Sequence, residues 1–219
     1  MKKPIAIIAG EPNSISSEII FKSWINRKKY FHKPFFVIGS FNLLNLQKKK
    51  LNYKIKLKQI DIDFKIKDLN SNELPIYNVD YKQNKAFEKI SSKSNKYIFK
   101  CIDMAIKFVK IKKSLGFINC PVSKESLFQK YHQGITEYLA KKSKKKGNEV
   151  MLIYNKELSV SPVTTHIPLK YVSSRLNQKQ IIKNIKVINK FYKKYLKKKP
   201  KFAVLGLNPH NFSSLKNNE

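Results

Sequence analysis

The sequence is poor in cysteine and glycine, and these shortages exclude several kinds of site. Its two cysteines, Cys101 and Cys120, lack CxxC spacing, and one pair makes no disulfide framework, so a reduced intracellular setting is expected. The loop after the first apolar run contains only Gly10, which does not match a glycine-rich dinucleotide fingerprint. That run, residues 5–9, is too short for a signal-peptide core, and no window approaches the ~20 apolar residues of a membrane span. A cytoplasmic protein with no membrane partner is predicted.

Arginine and acidic residues are also scarce. The net charge is +32, yet only Arg27 and Arg175 among the 46 basic residues are arginines. Arginine is the preferred residue for bidentate contacts to bases and phosphates. The lysines are spread along the chain, and no zinc-finger, RNA-recognition or helix-turn-helix pattern accompanies them. We therefore expect solvated lysine faces, weak adhesion to polyanions and no specific nucleic-acid partner.

Apolar runs alternate with helical patterns through most of the chain, which favours an α/β fold with a mostly parallel sheet and helices on both sides. The predicted strands are residues 4–10, 34–39, 75–79, 116–120, 161–169 and 203–210. Residues 51–80 alternate with period two, and 149–154 with 158–164 form a predicted strand pair. The predicted helices cover residues 19–24, which residues 16–18 lead into, and residues 41–47, which Ser40 can cap. Further helices are predicted at about 84–112, 125–131, 134–142 and 178–196.

Two histidines stand at the predicted ends of apolar strands. Segment 161–169 (SPVTTHIPL) contains His166, and segment 203–210 (AVLGLNPH) ends at His210. The carboxyl ends of strands are where open α/β proteins bind ligands, although a single histidine after a strand is more often structural. Two in equivalent positions favour a shared metal site, but a catalytic metal usually takes three protein ligands. The other histidines, His32 and His132, lie outside strand ends and are interpreted as surface residues.

Three further features have an ordinary and a functional interpretation. Lys124 follows the strand at 116–120 and could reach a phosphate. Lysine is so common in this chain that its position alone does not indicate a phosphate site. Thr136 and Glu137 could contact a phosphate or carboxyl group, or simply begin a helix. The loop at residues 10–18 could bind an anion, and a plain turn is the better interpretation.

Five segments, IAGEPNSISSEI, NCPVSKESL, GITEYLA, VTTHIPL and GLNPH, occur in this order and together resemble the 4-hydroxythreonine-4-phosphate dehydrogenase family of pyridoxal phosphate biosynthesis. The resemblance extends from Ile5 to His210, and VTTHIPL and GLNPH are its specific motifs. It implies a three-layer α/β/α fold like that of isocitrate and isopropylmalate dehydrogenases, and a homodimer with the site at the interface. It implies that NAD or NADP oxidises 4-phosphooxy-L-threonine, which then loses carbon dioxide to give 3-amino-2-oxopropyl phosphate.

Residue by residue, the resemblance implies that His166 and His210 bind a divalent metal ion and that Thr136 contacts the substrate. Imidazoles suit Zn or Co, and Mg remains open in a mixed site. A metal ion on the substrate's alcohol oxygen would favour its deprotonation and then polarise the new ketone. No catalytic residue is assigned, and no cofactor-binding residue is expected within these 219 residues.

The sequence departs from the family pattern at two motifs. Ile135 stands where the family has a substrate-contacting histidine, and residues 13–17 (NSISS) replace a glycine-containing pattern. The third metal histidine and most of the NAD site would lie beyond Glu219. Residues 1–219 are therefore predicted to be an incomplete two-lobed α/β dehydrogenase that lacks the C-terminal cofactor-binding portion and is inactive alone. The alternatives are a related dehydrogenase for another phosphorylated or carboxylated hydroxy acid, and a degenerate non-catalytic homologue that acts as a dimer or binds polyanions, which the net charge of +32 and the missing third ligand suggest.

Overall fold

The computed structural model describes residues 3–30, 33–69, 72–127, 135–143, 149–165 and 167–207. The chain divides into two compact units, Met1–Gly134 and Ile135–Glu219. Each unit has its own elements and is described by itself. None of the helices in the described ranges is long and apolar enough to cross a membrane.

The first unit is built on a five-stranded sheet in which every pairing is parallel. The strand order is β3-β4-β2-β1-β5. The interior strand β1 pairs with β2 on one side and with the edge strand β5 on the other, so Ile5 lies opposite both Phe35 and Gly116. The mostly parallel sheet predicted from the sequence is confirmed. The strands are β1 (Ile5–Ile8), β2 (Phe35–Gly39), β3 (Lys56–Ile60), β4 (Glu73–Asn78) and β5 (Gly116–Asn119).

Helices connect these strands, as parallel pairing requires. They are α1 (Ser16–Tyr30), α2 (Phe41–Lys50), α3 (Asn95–Lys110) and α4 (Lys124–Leu127), with 3-10 turns at Ile66–Leu69 and Ser92–Ser94. Ser40 caps α2, as predicted, because its side chain accepts a hydrogen bond from the Leu43 backbone N–H.

Adjacent residues of β2 show that helices cover both faces of the sheet. The Phe35 ring packs edge-on against Trp24 of α1, with ring centres 5.4 Å apart. The next residue, Phe36, packs against Phe108 of α3 at 5.1 Å, with Phe64 at 5.0 Å. Because successive side chains of a strand point to opposite faces, α1 and α3 lie on opposite sides of the sheet. The predicted layering of helix, sheet and helix is confirmed.

The long helix predicted over residues 84–112 is only partly correct. The helix α3 begins at Asn95, and Phe87 and Ile90 lie in irregular chain before it. Their spacing continues the helical period, but the backbone there bonds elsewhere: the N–H of Glu88 donates to the side chain of Asn13. Tertiary hydrogen bonds therefore override the local pattern.

The second unit contains α5 (Ile135–Lys142), a 3-10 turn (Leu169–Tyr171), α6 (Val172–Arg175) and α7 (Gln178–Phe191), which continues as a π-helical turn (Tyr192–Leu196). The predicted helix at 178–196 is confirmed, and Asn177 caps it by accepting from the Gln180 N–H at 2.9 Å. The predicted strand pair at 149–164 is reduced to a single antiparallel bridge between Ile153 and Val160.

The two histidine-bearing segments are not buried strands where the structure describes them. Residues 161–165 and 201–207 have no strand structure, and Val204 and Leu205 are 61% and 87% exposed. A strand forms only where a neighbouring strand pairs with it, and neither segment has such a neighbour within the described ranges. The apolar composition alone led to a wrong prediction for these residues.

Candidate functional site

The loops after β1 and β5 meet at the carboxyl edge of the first unit's sheet. The backbone N–H of Glu11 donates to the carbonyl oxygen of Pro121 at 2.9 Å, and the Ser16 hydroxyl donates to the same oxygen at 3.3 Å. Gly10 has φ +72°, and a Cβ there would lie 2.5 Å from that oxygen. Only glycine tolerates both the left-handed backbone and this close approach. The two loops therefore form one joined surface.

Glu11 is a fully buried acidic residue in this joined surface. Its side chain is 0% exposed, Ser94 Oγ donates to Oε2 at 2.9 Å, and the Asn13 N–H donates to Oε1 at 3.2 Å. A buried carboxylate is costly unless its oxygens are hydrogen-bonded, and here both are. The sequence interpretation of residues 10–18 as a plain turn missed this group. The available signal was an acidic residue directly after a buried apolar strand.

Three more side chains fix the shape of the first loop. Asn13 and Gln83 exchange two side-chain hydrogen bonds, of 3.3 and 2.9 Å. Gln47 Nε2 donates to the carbonyl oxygens of Pro12 and Ala86, at 2.6 and 2.9 Å. Asn13 thus ties this loop to residues 83–88.

Behind the edge lies a buried pair of neutral groups on α3. Tyr97 is buried, and its hydroxyl accepts a hydrogen bond from the Ser40 N–H at 3.0 Å. Burial raises the pKa of the Tyr97 phenol well above its usual range. Burial also raises the pKa of the Cys101 thiol to about 12, although the hydrogen bond with Tyr97 opposes the shift. Both groups stay protonated near neutral pH, so their role is structural.

The loop after β5 contains a second buried thiol. Two buried side-chain oxygens that lack a hydrogen-bond partner lie near the strand ends. Burial raises the pKa of Cys120 to about 11, so its thiol is no nucleophile at neutral pH. Among the described residues, the buried oxygens Ser17 Oγ of α1 and Asn119 Oδ1 of β5 have no hydrogen-bond partner. Lys124, the first residue of α4, is exposed. This edge of the sheet therefore carries polar groups that are available to bind a ligand, most of them oxygens.

The residues predicted to carry the chemistry are not brought together by the described structure. Thr136 is exposed in the first turn of α5, next to the half-buried Ile135. His166 and His210 lie outside the described residues, as do His32 and His132. Within the described ranges no three His, Cys, Asp or Glu residues are grouped to hold a metal ion. The metal site therefore stays a prediction.

Comparison with known proteins identifies what this chain is similar to. The family model described as "Pyridoxal phosphate biosynthetic protein PdxA" matches residues 31–213. The match extends through both compact units.

Two curated relatives illustrate the range of names in this group. A 4-hydroxythreonine-4-phosphate dehydrogenase of Sulfurihydrogenibium sp. (strain YO3AOP1) is 33% identical over 209 residues, which are 94% of this chain and 63% of the relative. A "Putative D-threonate 4-phosphate dehydrogenase" of Oceanobacillus iheyensis is 29% identical over 213 residues, 95% of this chain and 64% of the relative. The chain thus spans less than two thirds of the length of these relatives.

A solved structure shows the same fold. It is described as "a putative 4-hydroxythreonine-4-phosphate dehydrogenase from Salmonella typhimurium", and it superposes with a TM-score of 0.83 at 26% identity. The match covers 98% of this chain and 67% of the other. The α/β fold predicted from the sequence is confirmed by this similarity.

Proposed function

The chain belongs to the PdxA family of pyridoxal phosphate biosynthetic proteins, and on that premise we propose that the whole protein is a dehydrogenase of 4-phosphooxy-L-threonine. NAD or NADP accepts the hydride, the oxidised substrate loses carbon dioxide, and 3-amino-2-oxopropyl phosphate is the product. The observation that supports this proposal is the family match through both units of the chain. A homodimer and a cytoplasmic location belong to the same proposal.

His166 and His210 are the proposed ligands of a divalent metal ion. Two neutral imidazoles suit Zn or Co, and a mixed site with oxygen ligands would also take Mg. A divalent ion held there supplies positive charge, which favours loss of the alcohol proton and the electron flow of decarboxylation. The imidazoles must be neutral to bind it, so metal affinity falls as the pH drops below about 6.5, the ordinary histidine pKa.

Thr136 is the proposed contact to the substrate phosphate. Its position in the first turn of α5 places a hydroxyl beside backbone N–H groups that have no partner within the helix. Such a helix start favours an anion, and the hydroxyl adds a donor. The Ile135 side chain beside it has no donor, so the hydrogen bond that the resemblance implies for a histidine at this position would be missing.

We further propose that residues 1–219 form two incomplete lobes and that the cofactor-binding portion lies in the length that the relatives have in addition. The test is NAD and NADP reduction at 340 nm with 4-phosphooxy-L-threonine. It compares the 219-residue chain with the same chain fused to the C-terminal third of the Sulfurihydrogenibium relative. Turnover only by the fusion, lost on His166→Ala, is expected. Turnover by the short chain would contradict the proposed incompleteness, and a folded fusion without turnover would favour a non-catalytic homologue.

A second candidate is a dehydrogenase for D-threonate 4-phosphate. Two features favour it: the Ile135 side chain cannot donate a hydrogen bond to a substrate, and the Oceanobacillus relative carries that name, marked as putative. The same fusion should be assayed with both substrates, before and after Ile135→His. If residue 135 determines the choice of substrate, Ile135→His should raise kcat/KM for 4-phosphooxy-L-threonine relative to kcat/KM for D-threonate 4-phosphate. An unchanged ratio would exclude residue 135 as the determinant.

A further inference from the structure

One side of α7 and of the π-helical turn after it carries a row of lysines, the lysine stripe. Most steps along it are three or four residues, which places the lysines on one helix face. Lys183 is half-buried and the others are exposed, whereas Asn184 and Ile188 on the opposite face are buried. The lysine stripe therefore faces away from the interior of the second unit. It consists of Lys179, Lys183, Lys186, Lys190, Lys193 and Lys194.

The stripe lines a shallow groove. Four of its lysines, Lys186, Lys190, Lys193 and Lys194, line with Asn189 a space of about 440 Å³ that is wide open to solvent. The only charged groups of the groove are ammonium groups, and consecutive ones are a helical turn or less apart. A chain of evenly spaced anions fits this surface better than a single small anion does, because each turn of helix presents another cation.

No acidic residue balances the stripe. The sequence contains no Asp or Glu between Glu157 and Glu219, and in the described part of the chain no stripe lysine forms an ion pair. Like charges three and four residues apart destabilise a helix, and exposed helices ordinarily interleave glutamate with lysine. The absence of any counter-charge leaves this helix with a repulsion that an external polyanion would relieve.

Two exposed aromatic rings border the stripe. Phe191 and Tyr195 are 39% and 64% exposed, and their ring centres are 5.5 Å apart. The Lys194 ammonium lies 5.2 Å from the centre of the Tyr195 ring. Cationic grooves beside exposed aromatic rings bind single strands, because phosphates contact the cations and bases stack on the rings.

We propose that the lysine stripe binds the phosphate backbone of single-stranded nucleic acid without sequence preference, and that Tyr195 stacks on a base. The lack of arginine in the stripe agrees with backbone contacts rather than base recognition. An anionic membrane is a poorer partner, because a helix lying on lipid inserts its apolar face, and here Ile188 of that face is buried. This proposal is independent of the dehydrogenase activity.

The experiment measures the anisotropy of fluorescein-labelled dT20 with the 219-residue chain at several NaCl concentrations. Each phosphate contact contributes about 0.7 to the slope of log K against log salt for a single strand. Replacing Lys186, Lys190, Lys193 and Lys194 by glutamine should lower the slope by about 3 and weaken binding at least about tenfold at 0.1 M salt. Glutamine is a good helix former, so α7 should persist, which circular dichroism checks.

A matched control removes the same charge from the first unit. Lys48, Lys49, Lys50 and Lys54 lie at the end of α2 and just after it, and are exposed or half-buried. Their replacement by glutamine should change the slope by less than about 1, because they lie outside the groove. Equal losses in the two quadruple variants, or no binding of dT20 at 0.15 M salt, would overturn the proposal.

The Tyr195→Ala variant separates nucleic acid from other polyanions. It should weaken dT20 binding at least about fivefold and leave the binding of inorganic polyphosphate unchanged, because only bases stack. Equal dT20 binding by wild type and variant would overturn the stacking role and with it the nucleic-acid assignment. Tighter binding to a 20-base-pair duplex or to phosphatidylserine vesicles than to dT20 would also overturn it.

Discussion

Ser94 Oγ donates a hydrogen bond of 2.9 Å to the buried carboxylate of Glu11, a residue 83 positions earlier in the chain. The bond joins the loop after β1 to the 3-10 turn that precedes α3. The carboxyl edge of the sheet is thereby connected to the helix that covers one of its faces.

Replacing Glu11 should test how much this connection stabilises the first unit. Glu11→Ala removes the acceptor of the partly buried Asn13 N–H and leaves the Ser94 hydroxyl only the Ser91 carbonyl oxygen, 3.1 Å away, which should lower the free energy of unfolding by about 1–3 kcal/mol. Glu11→Gln keeps an acceptor and should cost less. Urea unfolding of both variants, with Ser94→Ala and the Glu11→Ala/Ser94→Ala double variant, completes the cycle. If the loss of unfolding free energy in the double variant equalled the sum of the two single losses, the hydrogen bond between Glu11 and Ser94 would not contribute to stability.

Gly10→Ala should destabilise the first unit by about 2 kcal/mol or more, because the new Cβ meets the Pro121 carbonyl oxygen in a left-handed backbone conformation. Gly116→Ala is the matched control, since a Cβ there meets nothing within 4 Å. It should be neutral or stabilising by up to about 1 kcal/mol. Thermal unfolding of the two variants measures the difference. Similar melting temperatures would mean that the Gly10 loop relaxes freely.

Tyr97→Phe should remove the acceptor for the Ser40 N–H and leave that donor buried. The expected loss is about 1–3 kcal/mol in free energy of unfolding. Tyr81→Phe is the control: its ring stacks on Tyr97 with centres 4.8 Å apart, and the substitution keeps that stack. Chemical denaturation should show a loss for Tyr97→Phe and little change for Tyr81→Phe. Equal effects of the two substitutions would show that the hydrogen bond from the Ser40 N–H to the Tyr97 hydroxyl does not stabilise the first unit.

The buried thiols should make the first unit less stable as the pH rises above 9. Cysteine ordinarily has a pKa of 9.0, whereas the folded state holds Cys120 at about 11 and Cys101 at about 12. The unfolded chain thus loses thiol protons first, so alkaline pH favours unfolding between pH 9 and about 11 for Cys120, and on to about 12 for Cys101. The slope is at most about 1.4 kcal/mol per pH unit for each thiol.

Urea unfolding from pH 8 to 10.5 measures this slope, and Cys101→Ala should reduce it whatever the variant does to stability at pH 8. If Cys101→Ala left the dependence of unfolding free energy on pH unchanged, the Cys101 thiol would have the same pKa in the folded and unfolded states.

Cobalt binding should test the two proposed imidazole ligands without catalysis. We expect weak Co²⁺ uptake by the 219-residue chain, seen in visible absorption, which His166→Ala and His210→Ala each abolish. His132→Ala should leave the spectrum unchanged and controls for incidental binding by a histidine. Loss of the signal in all three variants would indicate non-specific uptake.

Much of the first unit could be predicted from the sequence because its signals are local. Residues 34–39 are apolar without interruption, as expected of a parallel strand covered on both faces, and β2 is buried throughout. Ser40 directly after it has the side chain that caps a helix, and α2 begins there.

The errors arose where long-range partners decide the structure. Phe87 and Ile90 keep the helical spacing of α3, but hydrogen bonds to Asn13 hold the nearby chain in a loop. The buried Glu11 side chain accepts a hydrogen bond from Ser94, a partner 83 residues away that a local pattern does not identify. Residues 203–207 are as apolar as β1, yet they lack a strand partner among the described residues and are exposed.

The strand order has a consequence for how the protein is synthesised. The interior strand β1 pairs with β2 and with the edge strand β5, and β5 follows it by on the order of 100 residues. At roughly 5–20 residues per second, ribosomes take about 5–20 s to deliver β5 after β1 has emerged. During that interval one edge of the most apolar part of the sheet has no neighbour. A nascent first unit is therefore open to chaperone binding or misassociation until residue 119 has left the exit tunnel.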